Sequence, residues 1–124
     1  MARLKVYEWE AQTWPAFRQV KLNRSEAEMV LRRLIRHFNT PHVRLKGGEW
    51  YGGGTYFRHG MVDPVIRVKL SNVNLATLCH EFAHHLNNYL YPAQAKKRAH
   101  GKTFKRCLKR VYTWSKRYVP SSTA

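Results

Sequence analysis

The sequence predicts a small α+β domain. Two observations carry that reading: three stretches repeat apolar residues at helical spacing, and two short stretches between them alternate as strands do. A chain of 124 residues, 44% of them hydrophobic, is sized for one domain with a real core. The whole chain, 1–124, is therefore read as one domain.

Residues 3–9 (RLKVYEW) alternate loosely and predict a strand, broken at Trp14-Pro15. Ser25 followed by Glu28 reads as a capping box. Ala27, Val30, Leu31, Leu34, Ile35 and Phe38 then recur on one helical face, so a helix is expected over residues 25–39, ended by Thr40-Pro41. Residues 42–46 (HVRLK) and 65–70 (VIRVKL) read as strands. The Gly- and aromatic-rich segment between them reads as a hairpin or as a loop beside a cleft. Asn74 can cap a second helix running to Leu90 and stopped by Pro92. Residues 93–99 form a basic connector, and a last helix is expected over residues 101–118, before Pro120. The expected order is β-α-β-β-α-α.

Lys and Arg number 23 against 7 acids, a formal charge of +16. A field of that sign attracts polyanions, DNA first. On the last helix Lys102, Lys105, Arg106, Lys109, Arg110, Lys116 and Arg117 share the outward face with no acid among them. Ordinary solvated faces mix signs, so this stripe is the candidate nucleic-acid surface. Cys79 and Cys107 read as reduced core thiols; with no C-x-x-C pair there is no zinc ribbon in these residues. The first fourteen residues carry charge throughout, and no apolar run approaches membrane-spanning length. An intracellular protein without a membrane partner is the expectation.

His80-Glu81-Phe82-Ala83-His84 is an H-E-x-x-H sequence within the second helix. At helical pitch the two histidines fall about 40° apart, on one side of the apolar arc, and can reach one ion. Glu81 lies beside them. A catalytic zinc takes three protein ligands and leaves one position open. After Glu81 the chain contains no Asp or Glu, so a downstream carboxylate ligand is excluded. Asn87 and Leu90 stand where an H-E-x-x-H-x-x-G-x-x-H site needs Gly and His. His85 and His100 remain; His85 turns toward the apolar arc, which leaves His100, sixteen residues beyond His84.

TLCHEFAHHL followed by AHGKTF resembles the SprT-like (Spartan-type) peptidase domain, over about residues 66–111. VKLS, ahead of the helix, is similar to that family's strand before its active-site helix. The resemblance implies a small zincin-like domain with an N-terminal helix, a short sheet, an active-site helix and a C-terminal helix. It also implies one zinc ion on His80, His84 and His100, with Glu81 as general base for peptide hydrolysis. Protein or peptide substrates follow, and relatives in this group act on DNA-bound proteins. The strand at 65–70 is expected to offer an edge to an extended substrate.

The competing class is a basic nucleic-acid-binding module with a structural zinc, closed by a fourth ligand, His85 or Cys79. For oxyanion stabilisation the candidates are Tyr112, Tyr91 and His59. Asp63 is a candidate to orient a ligand histidine. Trp9 and Trp14 read as packing residues, His37, His42 and His59 as surface. Trp50, Tyr51, Tyr56 and Phe57 fit either packing or a groove.

Overall fold

The computed structural model describes residues 2–47, 54–57, 64–69, 71 and 73–120. The fold is α+β and mostly helical. Helix α1 spans Ala2–Thr13, α2 Arg24–Phe38, α3 Leu75–Leu90, α4 Pro92–Lys97 and α5 Lys102–Ser115. The strands are β1 (Lys21–Leu22), β2 (Arg44–Gly47), β3 (Gly54–Phe57), β4 (Val65–Val68) and β5 (Val73–Asn74). Short 3₁₀ turns at Pro15–Gln19 and Lys116–Tyr118 follow α1 and α5.

The predicted strand at residues 3–9 is instead the middle of α1. Val6 and Glu10, one helical turn apart, are both buried, and Trp9 packs against the core beside them. The alternation misled because an acid occupies the inward face, where a helical pattern is expected to be apolar. Trp14 follows on the same side, its N–H closing onto the Glu10 carbonyl at 2.9 Å. Its indole stacks on Tyr112 with ring centroids 4.3 Å apart and planes 3° apart. Trp9 meets Trp14 edge-on at 5.0 Å. Both tryptophans are thus packing residues, as expected.

The capping box of α2 lies two residues earlier than predicted. Asn23 Oδ1 accepts from the Glu26 N–H at 2.8 Å, and Glu26 Oε1 accepts from the Asn23 N–H at 2.9 Å. Two overlapping cap registers exist in NRSEAE, and hydrophobic periodicity does not choose between them. Glu28, assigned to the cap, forms an ion pair with Arg24 at 3.2 Å. Ala27, Val30, Leu31 and Leu34 face the core. At the far end Asn39 takes the left-handed conformation (φ 54°), which Asn tolerates better than most residues.

The main sheet has the order β2-β4-β3. β2 and β4, both expected as strands, pair in parallel, Leu45 opposite Ile66. Parallel neighbours need a long connection, and the Gly-rich segment supplies it. Part of that segment forms β3, antiparallel to β4 with Tyr56 opposite Ile66. β4 is therefore the central strand, which explains why Val65, Ile66 and Val68 are all buried. Flanked on both sides, β4 has no free edge, contrary to the expectation for residues 65–70. A second, two-stranded ladder joins β1 to β5 antiparallel and leads directly into α3.

Asn74 caps α3 as predicted, its Oδ1 accepting from the Thr77 N–H at 2.9 Å. Leu75, Leu78, Cys79, Phe82, Ala83 and Leu86 of α3 meet Phe104, Cys107, Leu108 and Val111 of α5 in one continuous core. Both cysteines are buried free thiols, as expected. The basic connector contains α4, with Pro92 in its first turn, where a missing N–H costs nothing. Among the described residues no helix is long and apolar enough to cross a membrane.

Asn23→Ala should lower stability by about 1 kcal/mol in urea unfolding, because the side-chain oxygen that accepts from the Glu26 N–H goes with it. Ser25→Ala, at the register the sequence favoured, should stay within about 0.5 kcal/mol of wild type.

Candidate metal centre

α3 brings His80 and His84 one turn apart, and the turn after α4 delivers His100. A nitrogen from each of the three histidines lies within 4.8 Å of the other two. The ring centroids are 5.0 Å apart for His80–His84, 5.3 Å for His80–His100 and 4.8 Å for His84–His100. The Nε2 atoms of His80 and His100 face each other at 3.3 Å. Two nitrogens on a tetrahedral zinc, at about 2.0–2.1 Å each, stand about 3.3–3.4 Å apart, so this pair already has that spacing.

Phe104 forms the wall behind the three rings. It stacks on His84 at 4.3 Å and meets His100 edge-on at 4.9 Å and His80 at 5.1 Å. Gly101 sits between His100 and α5. A Cβ there would come within 3.1 Å of the Arg98 Cβ, so a glycine lets the chain turn tightly into α5.

The environment keeps His84 uncharged. Burial, then the neighbouring His80 and His100, pull the His84 pKa down from 6.5 to about 2. A neutral imidazole has a lone pair to give a metal. Glu81 is 5% exposed, and burial pushes its carboxyl up from 4.5 to about 7, against the pull of His80. A carboxyl poised near neutrality can both take and return a proton.

One residue of the site was missed from the sequence. Glu10, 5% exposed, reaches across from α1. Its Oε2 lies 2.8 Å from His80 Nδ1, and its Oε1 accepts from the Tyr112 hydroxyl at 2.8 Å. A carboxylate only accepts, so Nδ1 carries the hydrogen and the lone pair of His80 sits on Nε2, toward His100. This is the carboxylate–histidine arrangement that orients metal-binding imidazoles. The sequence signal was weak but present: read as a helix, residues 2–13 place Glu10 one turn beyond Val6 on the buried side. Asp63, the sequence candidate for this part, lies outside the described residues, as do His59, Trp50 and Tyr51.

The same bond corrects the role considered for Tyr112. Its hydroxyl is 1% exposed with the rest of the residue and is engaged by Glu10, so it does not face a substrate. His85 turns away from the three histidines, as predicted; its Nε2 lies 2.8 Å from the Pro41 carbonyl oxygen and ties α3 to the segment after α2. Cys79 stands outside the group, its thiol pushed up to about 12 by burial. No fourth protein ligand is therefore present among the described residues. All seven cations of the α5 stripe are exposed.

The SprT-like family model matches residues 61–124, from just before β4 to the C-terminus. The chain belongs to the SprT-like family. Members of this family are generally zinc metalloproteases. The SprT-like match contains all three histidines and Glu81, while α1, with Glu10, lies outside it. Neither the curated proteins nor the solved structures yield a match.

His100→Ala should bind zinc far more weakly than wild type, and His85→Ala should retain full zinc stoichiometry, both read by metal analysis. Glu10→Ala should weaken zinc affinity by about 10–100-fold in a competitive chelator titration, with Glu10→Gln losing less because its carbonyl still accepts from Nδ1.

Proposed function

We propose that this chain is a zinc-dependent metallopeptidase in which His80, His84 and His100 hold one ion and Glu81 is the general base. The observation that supports it best is the convergence of three buried or half-buried imidazoles beside a buried glutamate, with no fourth protein ligand among the described residues. Three imidazole nitrogens suit zinc, and the His80–His100 nitrogen spacing fits its tetrahedral geometry. Held by three imidazoles, zinc supplies a Lewis acid and makes water a nucleophile near neutral pH.

The protein's own groups do the rest. Glu81 takes a proton from the attacking water on its carboxylate and passes it to the departing amine nitrogen. Glu10 fixes the His80 ring and its tautomer before any substrate arrives. Phe104 shields the histidine rings from one side. β3 packs beside α3 and is one of the two outer strands of the described sheet, so its outer edge suits an extended peptide added as a further strand. The cationic face of α5 suits proteins that are themselves bound to DNA.

Glu81→Gln should keep its zinc and its fold while hydrolysis of a disordered protein substrate falls by about 10²–10⁴-fold. A chelator should abolish wild-type cleavage, and added zinc should restore it. Undiminished cleavage by Glu81→Gln would show that another group is the base. A zinc-replete wild type that cleaves nothing, with or without DNA, would favour a binding module with a structural ion.

A further inference from the structure

α1 is a helix that its own sequence does little to hold. It spans 12 residues, a length that is marginal for a helix in water without tertiary packing. Its charges run against the helix dipole: Arg3 and Lys5 stand at the positive N-terminal end, and the last turn carries Glu10 and no cation. Among its described side chains Val6 and Glu10 are buried and Trp9 is half-buried, while Glu8, Ala11, Gln12 and Thr13 are exposed. Its chief backbone neighbour among the described residues is the 3₁₀ turn that follows it, Pro15–Gln19.

The hold of the domain on α1 is concentrated in one side chain. Among the described residues, the hydrogen bonds that tie a side chain of α1 to another element both belong to Glu10. One is accepted from His80 Nδ1 and one from the Tyr112 hydroxyl, each at 2.8 Å. His80 lies 70 residues away in sequence and is also a member of the histidine centre. One imidazole thus faces α1 through Nδ1 and the centre through Nε2. A cation drawn to Nε2 withdraws electron density from the ring and makes Nδ1–H a stronger donor; a carboxylate on Nδ1–H makes Nε2 a better ligand.

We propose that the seating of α1 and the binding of the ion are one coupled equilibrium: zinc draws α1 onto the domain, and α1, once drawn away, leaves a weaker site. Such coupling is reciprocal. The factor by which seated α1 raises zinc affinity is the factor by which zinc raises the population of seated α1. α1 is then a latch outside the segment that matches the SprT-like family, and Glu10 is its positioning residue. A partner or a chain cut that draws α1 off lowers zinc affinity without touching a histidine. The inference rests on the three-histidine centre of the proposed function and on no step of hydrolysis.

The test is hydrogen–deuterium exchange of the full chain, with zinc stoichiometry measured on the same samples. Zinc loading should slow exchange of the amides of residues 6–13 at least about tenfold. In Glu10→Ala, loaded to the same stoichiometry, the slowing should stay below about threefold. Equal slowing in the two proteins, or none in zinc-loaded wild type, would overturn the proposal and leave the metal centre standing; a wild type that binds no zinc would overturn both. In the reciprocal direction, Ala11→Gly with Gln12→Gly weakens α1 at two exposed positions and should lower zinc affinity at least about threefold in a chelator titration. Glu28→Gly with Arg32→Gly weakens α2 comparably at no net change of charge and should stay within about twofold of wild type. Equal losses in the two glycine doubles would mark a general loosening of the fold and overturn the coupling.

Discussion

A carboxylate taken out of water costs several kcal/mol unless its oxygens are hydrogen-bonded, and Glu10 is the group on which that constraint falls here. Each of its oxygens has one strong partner, His80 Nδ1 from α3 and the Tyr112 hydroxyl from α5, both at 2.8 Å. Three helices separated in sequence are thereby fixed at one point. Tyr112 is in turn clamped by Trp14 and Phe17, so the N-terminal segment packs where the carboxylate needs it. Burial pushes the Tyr112 hydroxyl well above its ordinary range, which keeps it a donor to Glu10.

The site inherits its order from that bond. With Nδ1 committed to Glu10, the His80 ring can neither flip nor change tautomer cheaply, and its Nε2 stays toward His100. His84 and His100 are fixed by Phe104, the first large apolar residue of α5. α5 therefore has two separate tasks. Its inward arc completes the core and backs the histidines; its outward arc carries only cations and small polar residues into solvent.

What could be read in advance followed the range of the interactions. α2, α3 and α5 were legible because an apolar face repeats every three or four residues, a local signal. The three histidines were legible because two are one turn apart and elimination left only one further candidate. Glu10 was not, since a buried acid reverses the pattern that marks a helix, and its partners lie 70 and 102 residues away. The parallel pairing of β2 with β4 was hidden for a similar reason: alternation identifies a strand but not the direction of its neighbour. The cap of α2 was ambiguous at the level of chemistry, because Asn23 and Ser25 each precede a glutamate by three residues.

The central claim is that three imidazoles hold one zinc with a position left open for chemistry. X-ray absorption on the zinc-loaded protein tests it most directly. Three imidazole nitrogens and one exchangeable oxygen are expected at about 2.0–2.1 Å, with no sulfur. A sulfur at about 2.3 Å, or a fourth imidazole in place of the oxygen, would contradict it and make the site a closed, structural one.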